Sequence, residues 1–201
     1  MFLNGESRTI DQKSCTYTPC YCEENIWHLC QRMSREIPHQ FQSSCHVVFI
    51  SNPERVIPLW AQRASKREDG LVLWDYHVIL IHVQAQDGSV VVLDLDTTLP
   101  FPCSLKEFYT QAIRSEEFIE SKYRRFFRVI QGPSFLALFA SDRSHMLDDQ
   151  GQWRSPPPQY PPIKTDSSCN NLDCFINMTS TQEQFGRVLD LRGFCKEFGL
   201  Q

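Results

Sequence analysis

The longest apolar run of the chain, Leu71 to Val83, constrains most of what can be built around it. Only Asp75, His77 and His82 interrupt it, and its apolar residues fall on both alternating faces. That is the pattern of a strand covered on two sides. Asp87-Gly88 then signals a turn, and Val90 to Asp96 returns as the partner strand. Upstream, Ile26, Leu29, Cys30 and Met33 recur at i, i+3, i+4 and i+7, which predicts an amphipathic helix starting at Cys22 and ended by Pro38. Glu23 and Glu24 in its first turn and Arg32 and Arg35 in its last suit the helix dipole. Further strands are expected at His46 to Ile50, at Val56 to Trp60 (towards an edge, because of Pro58) and at Arg125 to Ile130. Ser104 with Glu107 makes a capping box for a helix through Ile113. Ser134 to Ala140 reads as a short helical or buried segment, and Leu189 to Phe198 as a terminal helix. The tract from Pro156 to Pro162 is a strap laid across its own domain or a ligand for an SH3-type groove. The expected fold is α/β of the α+β kind, a leading helix packed on a mainly antiparallel sheet. Residues 1–14 are expected as a flexible arm and residues 15–201 as one catalytic domain.

Composition narrows the function classes. With 41% hydrophobic and 22% charged residues the chain is globular, and a net charge of −4 argues against a partner bound through nucleic-acid phosphates. No apolar stretch is long enough for a membrane helix, and Met1 to Lys13 lacks the apolar core of a secretory leader. The cytoplasm, with the nucleus as the other compartment, is therefore the expected location. Most of the nine cysteines should be free thiols in a reducing compartment, so the question is whether one of them is chemically special.

Cys22 is the candidate, because it stands where the first helix begins. Backbone N–H groups and the dipole there favour a thiolate and can hold an oxyanion. Glu23 and Glu24 oppose the thiolate, so a cationic partner is needed, and histidine is the usual one. His77 lies at the polar break of the central strand, and Asp94 and Asp96 lie on the returning strand. A hairpin whose paired residue numbers have an odd sum puts His77 and Asp94 on one face. A four-residue loop, Gln84 to Asp87, with Gly88 left-handed, is predicted because it sets Asp94 directly opposite His77. The order thiol, base, orienting acid is the logic of papain-like and transglutaminase-like enzymes. A zinc module using Cys15, Cys20, Cys22 and Cys30 lacks the paired Cys-x-x-Cys spacing, so no metal is expected.

These residues also carry a resemblance. The stretches Cys20-Tyr21-Cys22-Glu23-Glu24-Asn25-Ile26-Trp27, Trp74-Asp75-Tyr76-His77-Val78, Asp94-Leu95-Asp96-Thr97, Leu99-Pro100-Phe101-Pro102 and Ala140-Ser141-Asp142-Arg143-Ser144-His145-Met146 closely resemble the protein N-terminal glutamine amidohydrolase family, from about Cys15 to Pro162. The last forty or so residues match less clearly. The resemblance implies that Cys22, His77 and Asp94 are the catalytic residues. It also implies conversion of an N-terminal glutamine to glutamate with release of ammonia, feeding the arginine branch of the N-degron pathway. A monomer without cofactor is implied, acting on proteins or peptides with a free N-terminal Gln. Such specificity needs an acceptor for the substrate's α-ammonium, and Glu24, Glu23 and Asp75 are the candidates in that order. Ser141 to Met146 lines the peptide cleft or is a hydrogen-bonded structural loop. A papain-like cysteine protease or a transglutaminase is the alternative.

Overall fold

The structure, a computed structural model, describes residues 10–200. Most of the expected N-terminal arm lies outside them, and its described remainder includes a 3-10 turn at Gln12–Ser14. The leading helix, α1 (Cys22–Glu36), buries Ile26, Leu29, Cys30 and Met33 as their spacing predicts. Pro38 does more than close it. Its fixed φ suits a first helical position, and it opens a second short helix, α2 (Pro38–Ser44), which pattern reading missed. Strand β1 (Cys45–Ser51) follows.

The long apolar run is not one strand. It divides into β3 (Val72–Trp74), paired with β2 (Ile57–Leu59) in a small separate sheet, and β4 (His77–Val83) in the main one. Asp75 is the reason. It is exposed, its carboxylate accepts the Tyr76 backbone N–H at 2.9 Å, and its carbonyl accepts the Ser51 hydroxyl at 2.6 Å. The chain turns there instead of continuing its ladder. Strand β5 (Val90–Leu93), β6 (Cys103–Ser104), helix α3 (Leu105–Phe108), strand β7 (Phe126–Gln131) and helix α4 (Gly132–Leu138) follow. Ser104 caps α3 as expected, accepting the Glu107 N–H at 3.2 Å, and a π-helical turn at Tyr109–Ile113 continues it. Helix α5 (Leu172–Ile176), strand β8 (Arg187–Asp190) and helix α6 (Leu191–Glu197) complete the chain. The terminal helix starts later than expected because Arg187 to Asp190 pair with β7, and Asp190 then caps α6 by accepting the Gly193 N–H at 2.7 Å.

The main sheet is antiparallel throughout, in the order β6-β5-β4-β1-β7-β8. Alternation divides its side chains between two apolar layers. Val47, Phe49, Val78 and Leu80 pack with Ile26, Leu29, Phe41 and Phe175 from the helices on one side. Val48, Ile50, Ile79 and Ile81 pack with Leu105, Phe108 and Phe194 on the other. This is the two-sided cover that the apolar run demanded. Each such side chain contributes about 1.5–3 kcal/mol of burial. Arg128, fully buried on β7, donates to the carbonyls of Phe175 and Gly186 at 3.0 Å and of Ser180 at 3.2 Å, and so ties the C-terminal segments to the sheet.

Gly186 leads into β8 at φ +88°, and a Cβ there would stand 2.3 Å from the Val129 carbonyl oxygen. Gly186→Ala is therefore expected to cost about 2–4 kcal/mol and to lower the melting temperature visibly in a thermal scan. Gly88→Ala, also at positive φ but facing open space, is expected to cost only about 1 kcal/mol.

Candidate active site

Cys22 is positioned by the loop before α1. Asn25 reaches back from the first turn, accepting the Thr18 N–H at 2.8 Å and donating to the Thr18 carbonyl at 2.9 Å. Cys20 turns the chain at φ +69°, and the Tyr21 hydroxyl donates to the Ser155 carbonyl at 3.2 Å. The sulfur, in a residue only 7% exposed, reaches a pocket of about 90 Å³. Trp74, Asp75, Tyr76, Asp96 and His145 line it too. The Val78 backbone N–H, on the strand that His77 opens, acts to hold the thiol pKa down.

The β4–β5 ladder pairs Leu80 with Leu93 and Val83 with Val90, a sum of 173. The connection is Ala85 to Gly88, closed by Gln84 N–H to Ser89 carbonyl at 2.8 Å, with Gly88 at φ +71°. Its length and left-handed glycine match the expectation, but it begins one residue later, so Asp94 is not directly opposite His77. The sum is still odd, which keeps the two on one face, and a diagonal neighbour is within side-chain reach. β5 ends at Leu93, and His77 Nε2 meets Asp94 Oδ1 at 3.0 Å. The same oxygen accepts the Asp96 N–H at 2.9 Å, and both side chains are fully buried. Nδ1 of His77 has no hydrogen-bond partner among the described residues. Trp74 stacks on the imidazole with ring centroids 5.4 Å apart. His77 thus lies behind two walls of the pocket, Trp74 and Asp96. Burial alone would lower its pKa, but Asp94, Asp96 and Glu23 more than offset that and raise it above the ordinary value.

The carboxylates divide by environment. Glu24 is fully engaged: both oxygens accept from Arg143 at 2.8 Å, and Arg143 also donates to the carbonyls of Pro158 at 3.2 Å and Tyr160 at 3.0 Å. The proline tract is thereby held as a strap. Glu23 has no such cation among the described residues. Its Oε2 accepts from Tyr76 at 3.0 Å and lies 3.7 Å from the Cys22 sulfur, while Oε1 is 3.7 Å from His145 Nε2. Burial, with Glu24 adding to it, pushes Glu23 up to about 7. Asp75 is exposed at the pocket's edge. Asp96 is buried, accepts the Tyr17 hydroxyl at 2.7 Å, and is raised mainly by burial.

Burial, followed by Glu23 and Asp96, pushes the Cys22 thiol well above its ordinary value. Pattern reading missed His145, although it lies in the Ser141 to Met146 stretch considered for the cleft. It lines the pocket and contacts the Tyr76 hydroxyl at 3.2 Å. Ligand atoms of His77, Asp94 and Asp96 lie within 4.8 Å of one another, close enough to hold a metal ion. His77 and Asp94 are already hydrogen-bonded to each other, and the Asp96 carboxylate accepts from Tyr17. Cys15, Cys20, Cys22 and Cys30 form no such group among the described residues.

The Glu24–Arg143 pair yields a stability prediction. Glu24→Gln is expected to cost about 3–5 kcal/mol in denaturant unfolding, because Arg143 is left buried without its counter-charge. A Glu24→Gln/Arg143→Met double variant is expected to lose less than that single change.

Known proteins match this chain along nearly its whole length. Residues 17–198 match the family model described as N-terminal glutamine amidase. A protein of Bos taurus named "Protein N-terminal glutamine amidohydrolase" is 46% identical over 188 residues, covering 94% of this chain and 89% of that protein. The protein of that name from Danio rerio is 45% identical, covering 99% of this chain and 100% of its own. The one from Homo sapiens is 46% identical, covering 92% and 89%. With the match spanning helix, sheet and pocket alike, this chain belongs to the N-terminal glutamine amidase family.

Proposed function

We propose that this chain hydrolyses the side-chain amide of a glutamine at the free N-terminus of a protein or peptide, giving glutamate and ammonia. Cys22 is the nucleophile, His77 the acid–base and Asp94 its orienting acid, in an arrangement of the papain-like and transglutaminase-like kind. Family membership supports the reaction class. One observation carries the choice of site. Cys22 lines a pocket of about 90 Å³, whereas pockets for whole small ligands run to several hundred Å³, so the space suits one side chain rather than a passing polypeptide.

His77 takes the thiol proton on Nδ1, the nitrogen that Asp94 leaves free. The thiolate attacks the amide carbon, and the oxyanion is met by the Cys22 backbone N–H at the helix N-terminus. The C–N bond breaks as His77 returns the proton to departing ammonia, leaving a thioester. Water, deprotonated by His77, then releases glutamate and the thiol. The α-ammonium is assigned to Asp75 and Asp96 in the pocket wall, with Glu23 behind Tyr76. Glu24 is already bound by Arg143. The enzyme is proposed to work as a monomer without cofactor, in the cytoplasm and nucleus, where nine unpaired thiols suit a reducing medium. Its product enters the arginine branch of the N-degron pathway in this reading.

The test is ammonia release together with mass spectrometry on a peptide starting with Gln. Wild type is expected to release ammonia without cleaving the chain, and the N-acetylated peptide to stay unchanged. Cys22→Ala is expected to abolish turnover. Asp94→Asn is expected to lower kcat by about 10²–10⁴-fold while Cys22 remains in place. Backbone cleavage would point to a peptidase, and amine incorporation to a transglutaminase.

A further inference from the structure

Three carboxyl groups gather around the Cys22 sulfur, and each disfavours a thiolate there. Glu23 Oε2 lies 3.7 Å from the sulfur, and Asp75 and Asp96 line the same space from the segment before β4 and the segment beyond β5. Among the described residues no Lys or Arg lines it. Arg143 is engaged by Glu24, and Arg63, beyond Asp96, directs its guanidinium to the Thr97 carbonyl at 2.9 Å and to Gln12 at 2.8 Å. Of the two imidazoles in the neighbourhood, His77 is hydrogen-bonded to Asp94 at 3.0 Å and offsets only part of the charge of Asp96, and His145, which contacts the Tyr76 hydroxyl at 3.2 Å, has its pKa lowered by burial. Such a cluster disfavours the very species the reaction needs, yet it suits a ligand that carries one positive charge.

We propose that these carboxylates keep Cys22 as an unreactive thiol until the substrate's α-ammonium enters among them, so that a free N-terminus both docks the peptide and switches on the nucleophile. The proposal rests on the glutamine-amidase reading given above. When the ammonium arrives, the S–H bond breaks, the proton goes to His77 Nδ1, and a thiolate–imidazolium pair forms. An opposite charge within about 4–6 Å favours an ionised form roughly ten- to thousand-fold. A peptide with a blocked N-terminus lacks the charge, so even when it occupies the pocket it leaves the sulfur protonated. Specificity for free N-termini then appears in kcat as well as in KM. Between substrates the resting thiol is guarded from alkylation and oxidation, since only the thiolate is nucleophilic. Glu23 is a positioning residue here, acting through the sulfur rather than touching the reacting amide.

The experiment is the pH dependence of iodoacetamide alkylation at Cys22 in the full-length enzyme, read by mass spectrometry, with exposed Cys169 as internal control. Wild type is expected to show a midpoint above that of Cys169. Glycinamide, a small ammonium probe, is expected to speed Cys22 alkylation about tenfold at neutral pH. N-acetylglycinamide is expected to have no effect. Removing a negative charge lowers the thiol pKa, so Glu23→Gln and Asp75→Asn should each move the midpoint to lower pH and weaken the glycinamide effect. Equal midpoints for Cys22 and Cys169 in wild type, or glycinamide that slows or leaves alkylation unchanged, would overturn the proposal. Midpoints unmoved in both variants would do the same. The glycinamide arm needs no variant to fold. Ammonia release from a Gln-starting peptide, measured on the same wild-type preparation, separates the two readings. If ammonia is released but alkylation does not respond, only the switch falls; if none is released, the glutamine-amidase reading falls.

Discussion

Glu23 and Glu24 follow Cys22 into the interior at the first turn of α1, and much of the surrounding structure answers those two buried charges. A buried carboxylate needs a partner, and its partner decides what it does. Glu24 finds Arg143 with both oxygens, and Arg143 in turn holds the carbonyls of the proline strap. That carboxylate is architecture. Glu23, one residue earlier, finds a phenol and a distant imidazole but, among the described residues, no Lys or Arg, which leaves its carboxyl 3.7 Å from the sulfur beside it.

The second constraint is the interior hydrogen bond between His77 and Asp94. It exists because β5 stops at Leu93 and lets Asp94 leave the ladder, while the main-chain N–H of Asp96 turns back onto the same carboxylate. The break at Asp75 does the corresponding work on the other strand. It starts β4 at His77 and places Trp74 against the imidazole as a wall of the pocket. Each polar residue that interrupts the apolar run near this end is thus a place where the backbone departs from regular pairing to build the site. The far end behaves differently: His82 stays within β4, paired with Val91 on one side and Cys45 on the other.

Much of this was legible in the residues. The face of α1, the two-sided cover of β4, the cap at Ser104 and the left-handed Gly88 all follow from periodicity and turn chemistry, which act over a few residues. The candidate nucleophile, base and acid follow from residue type and order. What escaped was longer in range. The run from Leu71 to Val83 looked continuous because apolarity alone does not reveal a carboxylate that captures its own neighbour's N–H, as Asp75 does. Strand β8 was hidden inside a helical pattern, because Val188 and Leu189 suit either state until β7 offers them an edge.

By itself, then, the sequence determined that a thiol would open an amphipathic helix, and that an odd hairpin sum would put His77 and Asp94 on one face, since both depend on repeats of two to four residues. Only the tertiary structure decided the sum of 173 over its odd neighbours, and which of two adjacent glutamates is neutralised. Glu24 and Arg143 are 119 positions apart, and a charge pair of that kind is chosen by distances of a few ångströms that exist only after helix, strap and sheet have packed.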